Sequence, residues 1–168
     1  MPLIKHGAII PDPWIAVSDG AILPEDAPAI VSFSRWRADR WALLARTAPL
    51  GVRLESDVAP EAIAEDVDRF GVIALAFPAF TDGRPYSHAR LLRERHGYRG
   101  ELRAVGNVLR DQFLFLHRCG FDAFEVADER AAAAWQDAVS EISVRYQPAT
   151  ADDRSRSWRG AALSSTVG

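Results

Sequence analysis

The feature that most restricts the fold of this chain is a regular alternation of short β-type runs with helix-type segments. Five such runs occur: AIVSFS (29–34), GVRLE (51–55), VIALAF (72–77), ELRAVG (101–106) and DAFEV (122–126). Each is followed by a segment of helical character, at about 38–47, 60–69, 86–96, 108–119 and 128–143. Pro60 suits a first helical turn, Asn107 a helix N-cap, and Gly97 and Gly120 the position just past a helix end. Strands and helices alternating at these lengths predict βαβ units, a parallel sheet and right-handed crossovers.

A parallel sheet covered on both faces has strands that are apolar throughout. These strands alternate instead, and successive side chains of a strand point to opposite faces. One set is bulky and apolar: Val31, Phe33, Val52, Leu54, Ile73, Leu75, Phe77, Leu102, Ala104, Phe124 and Val126. The other is small or charged: Ser32, Ser34, Arg53, Glu55, Ala74, Ala76, Glu101, Arg103, Val105, Ala123 and Glu125. The pattern predicts an α/β chain with all helices on one face. Its sheet is a singly wound half-barrel, a partial TIM-barrel-like arrangement with apolar residues under the helices and polar ones in the hollow. Five units do not close a barrel, so the half-barrel is open, or its hollow is closed by a hairpin of the first thirty residues or by a second copy of the chain, as a homodimer. A flavodoxin-like doubly wound sheet is the alternative.

The chain divides into three parts: residues 1–28, 29–146 and 147–168. The first is rich in Pro, Asp and Gly; Lys5, His6, Gly7 and Ala8 suit a small hairpin, serving as a lid or sheet edge, that Pro11 and Pro13 interrupt. The last, with Trp158 among Arg154, Arg156 and Arg159, loses all periodicity and reads as a mobile tail. Within 168 residues, 48% hydrophobic and 26% charged content describes a soluble globular domain. A net charge of -3 disfavours nucleic acid as a partner. The single cysteine, Cys119, excludes an intramolecular disulfide and fits a reducing compartment. No signal-peptide pattern and no membrane-spanning run is present, so the expected location is cytoplasmic.

Ligands of α/β folds bind at the carboxyl ends of the strands. The stretch TDGRPYSHAR follows the third strand and places Asp82, Gly83, Arg84, Tyr86, Ser87 and Arg90 there; Asn107, Asp111 and Gln112 follow the fourth. Asp82-Gly83 is a turn signal, Pro85 fixes φ at a helix start, and Arg84 and Arg90 supply charge for a small anion. The charges of the hollow, Arg53, Glu55, Glu101, Arg103 and Glu125, form either ion pairs, such as Arg103 with Glu125, or a ligand site. No metal-ligand spacing, phosphate loop or dinucleotide fingerprint occurs, so neither a metal nor a cofactor is expected. Catalytic residues are not identified by motif. An enzymatic alternative is a small barrel-type lyase or isomerase acting on an anionic metabolite, with Asp111 or Glu125 as general base and Arg103 stabilising a developing anion.

The stretches FPAFTDGRPYSHARLLR, YRGELRAVGNVLRDQ and RCGFDAFE, with the earlier DGAILP, resemble the bacterial domain-of-unknown-function family 934. Genes of that family commonly stand beside those for assimilatory sulfite (or nitrite) reductase and phosphoadenylyl-sulfate reductase. The resemblance therefore implies an accessory protein of sulfate and sulfite assimilation, which binds the reductase or a small sulfur-containing anion. It carries no catalytic residues with it.

Overall fold

The computed structural model describes residues 2–6 and 8–126; the segment expected as a fifth helix and the tail beyond residue 146 lie outside them. Eight strands form one sheet: β1 (Leu3–Lys5), β2 (Ala8–Ile10), β3 (Ile15–Ala16), β4 (Ala29–Ser32), β5 (Leu50–Leu54), β6 (Phe70–Phe77), β7 (Glu101–Gly106) and β8 (Ala123–Glu125). Their order is β2-β1-β8-β7-β6-β5-β4-β3. From β3 to β8 every strand lies parallel beside the next in sequence. The order never reverses, as a doubly wound sheet requires, so the crossovers stack their helices on one face. The hairpin β1–β2 extends the sheet by antiparallel pairing of β1 with β8, leaving β2 outermost.

The two faces sort as the alternation demands. Val31, Val52, Leu54, Ile73, Leu75, Phe77, Leu102, Ala104 and Phe124 belong to one buried core with Trp36, Leu43, Ile63, Val67, Leu92 and Leu116 from the helical layer. Trp36 meets the Phe70 ring edge-on at 4.8 Å. On the other face Ala74, Ala76 and Val105 make a separate small cluster.

The helical layer comprises α1 (Phe33–Leu44), 3₁₀ turns over Pro60–Arg69, α2 (Arg84–Arg90) continued by a π turn (Leu91–Arg95), a 3₁₀ turn (Arg110–Gln112) and α3 (Phe113–Arg118). Two local expectations are corrected. The first strand ends at Ser32, not residue 34, because the Ser32 hydroxyl accepts the Arg35 N–H at 3.0 Å and caps a helix that begins at Phe33. Asn107 caps no helix; it remains in the loop, where its side chain donates to the Pro78 carbonyl. Gly97 and Gly120 do take positive φ just beyond helix ends.

The degree of curling follows from chain length. Eight strands spaced at about 4.8 Å span roughly 34 Å along the sheet. The two outermost strands, β2 and β3, are joined by Pro11–Trp14 alone, a reach of at most about 18 Å from Ile10 to Ile15. A flat sheet cannot satisfy both lengths, so the sheet is rolled into a half-barrel with this connection crossing its hollow. The path is diagonal. Ile10 sits level with Glu125 at the carboxyl end of the sheet, and Ile15 pairs with Ala29 at the amino end of β4.

Candidate functional site

At the carboxyl ends of β6 and β7 two loops are clasped together. The Asn107 N–H donates to the Phe77 carbonyl at 2.9 Å, and the Asn107 side chain to the Pro78 carbonyl at 2.7 Å. Gln112 donates to the Phe80 carbonyl at 3.0 Å and accepts the Leu109 N–H at 3.2 Å. Asp111 lies beside it in the 3₁₀ turn, exposed.

Asp82 organises the turn that the sequence singled out. Its carboxylate accepts the Arg84 backbone N–H at 3.0 Å and grips the Arg84 guanidinium with both oxygens, at 3.0 and 2.7 Å. The guanidinium, joined by the Ser56 hydroxyl, holds the Asp82 carboxyl well below the usual carboxylate range. Arg84 is therefore fixed by its own neighbour, with 57% of its side chain exposed. Gly83 has φ -83, so the turn needs no left-handed residue.

Helix α2 and its π turn bury Pro85, Ala89 and Leu92, and this stripe sets what faces outward. Arg84, Ser87 and Arg90, three residues apart on the opposite side, are exposed. Tyr86 is half-buried, its ring 5.2 Å from Phe77 and 4.7 Å from Phe115. At this end of the sheet Phe80, Leu109 and Phe115 are exposed, at 54, 46 and 49%. The residues expected to cradle an anion thus share this end of the sheet with exposed apolar side chains.

Arg103 lies elsewhere. It projects into the hollow, on the face of the sheet away from α2, and is 1% exposed. Its Nη1 and Nη2 donate to the two Asp12 oxygens at 2.6 and 3.0 Å, and its Nε donates to Glu101 at 3.0 Å. Glu101 also accepts from Lys5 at 2.7 Å. Glu125, the expected partner, stands at 4.0 Å. Arg53 and Glu55 pair with each other at 2.8 Å, both half-exposed, beside a groove of about 410 Å³ shared with Val17, Asp19 and Ser32. Asp12 was missed from the sequence. Its only local signal is a carboxylate between two prolines, Pro11 and Pro13, which reads as an ordinary loop.

Among the described residues no three His, Cys, Asp or Glu side chains come together as a metal-holding group, and no helix is long and apolar enough to cross a membrane. Cys119 is a buried free thiol at the end of α3. Against protein families, the model described as "Bacterial protein of unknown function (DUF934)" matches residues 51–157. The chain belongs to the DUF934 family. In this DUF934 protein the matched stretch includes all of β5 but Leu50, β6 to β8, the Asp82–Arg84 turn and Arg103, while Asp12 precedes it. No curated protein and no solved structure matches the chain.

Proposed function

We propose that this DUF934 protein is an accessory factor of assimilatory sulfite reduction that docks on the reductase through the rim at the ends of β6 and β7. The pathway comes from the gene neighbourhood that the family resemblance implies. The observation that supports docking is the surface of Phe80, Leu109, Phe115 and half-buried Tyr86, bordered by the immobilised Arg84. Exposed aromatic side chains beside an arginine are the composition of a protein-binding surface. An arginine already gripped by its own carboxylate loses little freedom when a partner packs against it.

The test is calorimetric titration of the protein with purified sulfite reductase, with phosphoadenylyl-sulfate reductase in parallel. A complex with the first is expected. Phe80→Ser and Phe115→Ser should each weaken it by about tenfold or more, the effect of truncating an interface anchor. A complex that both variants form with unchanged affinity would move the interface elsewhere, and the absence of any complex would remove the proposal.

A further inference from the structure

The connection Pro11–Trp14 crosses the hollow as a strap held chiefly by two side chains. Asp12 lies on Arg103, and the Trp14 ring covers Gly71 so closely that a Cβ there would come within 2.9 Å of it. Pro11 and Pro13 have no N–H to offer. Among the described residues, the strap's backbone donates one hydrogen bond, from the Trp14 N–H to Asp12 at 3.0 Å; regular pairing resumes at Ile15, whose N–H meets the Pro28 carbonyl. A segment attached in this way opens locally at lower free energy than the strands it crosses.

Beneath it Arg103 is prepared as a receptor. Glu101, steadied by Lys5, takes the Nε side of the guanidinium, which turns the Nη1 and Nη2 edge toward Asp12. Two parallel N–H···O bonds are how arginine recognises a pair of adjacent oxygens. A hollow that only had to be filled would do as well with apolar side chains, because a buried ion pair adds no stability over good packing. We propose that Asp12 is a tethered stand-in for a small monoanion with two adjacent oxygens, a carboxylate or a hydrogensulfite, which takes its place on Arg103 when the strap lifts. Without Asp12 the remaining charges, Lys5, Arg103, Glu101 and Glu125, sum to zero, so a monoanion restores the original balance and a dianion overshoots it.

This site lies apart from the docking rim, and its test needs no reductase. Asp12→Ala, Asp12→Asn and the double variant Asp12→Ala/Arg103→Met are melted in chloride, acetate, hydrogensulfite and sulfate at equal ionic strength, and titrated calorimetrically. Asp12→Ala should melt roughly 10 °C below the parent in chloride. Acetate or hydrogensulfite should restore about half of that loss and bind at least tenfold more tightly than to the parent, sulfate should do less, and the double variant should show no response. In the parent, the same anion should speed hydrogen exchange at the Trp14 amide. The proposal is overturned if all three oxyanions act as chloride does on both single variants, if the double variant responds equally, or if Trp14 exchange in the parent never changes.

Discussion

Asp82 and Arg84 stand two residues apart, and each satisfies the other. A carboxyl held below its ordinary range contributes order that is present above that range and lost only as pH falls through its own lower value. The sign is therefore fixed: the Asp82–Arg84 turn stays intact into acid that protonates ordinary surface carboxylates. A carbon-13 titration of the Asp82 carboxyl should show a midpoint below the usual range, moving back toward it in Arg84→Met. A midpoint that stays depressed in the variant would assign the effect to the Ser56 hydroxyl and the backbone N–H of residue 84 instead. Much of this turn was legible, since Asp-Gly-Arg-Pro names a polar turn into a helix. That Arg84 folds back onto Asp82, leaving little of its charge for a ligand, was not, because two-residue spacing permits either outcome. Asp12 was less legible still: its partner is 91 residues away, and no local pattern reports a contact of that range.

At the scale of elements, the strand faces were readable because a period of two leaves only two phases, and in β5 the buried Val52 and Leu54 on either side of exposed Arg53 select one. The end of β4 was not, because Phe33 continues the apolar alternation while occupying the first position of α1. Glycine marks where β7 must stop. Gly106 has φ +90, and a Cβ on it would lie 2.6 Å from the Phe77 carbonyl oxygen. Gly106→Ala should cost about 3 kcal/mol, since strain and a backbone clash add. Gly83→Ala, at φ -83 with nothing within 4 Å, should stay within about 1 kcal/mol of the parent. Urea unfolding of the pair measures the contrast, and equal losses would show that β7 ends for another reason.

For the whole molecule, the half-barrel was predictable from strands polar on one face, but its closure by the chain's own first residues was one choice among several. The hairpin shields the edge of β8 and supplies Lys5, and the strap supplies Asp12. Deleting residues 2–14 should therefore bare a sheet edge and leave the buried Arg103 short of its bidentate partner. Sedimentation should then show concentration-dependent association with a broadened thermal transition. A deletion variant that stays monomeric and melts sharply would make the hairpin dispensable.

The pairing of β1 with β8 also dictates a timetable. A nascent chain makes β1 more than a hundred residues before its neighbour β8, so the β1–β2 hairpin must wait, with one side of β1 unpaired, for nearly the whole described domain to be synthesised. β3 needs only β4 and can settle early, which would hold the far rim in place while the near one is still open. Among the described strands, the sheet is thus joined last at the seam between β1 and β8.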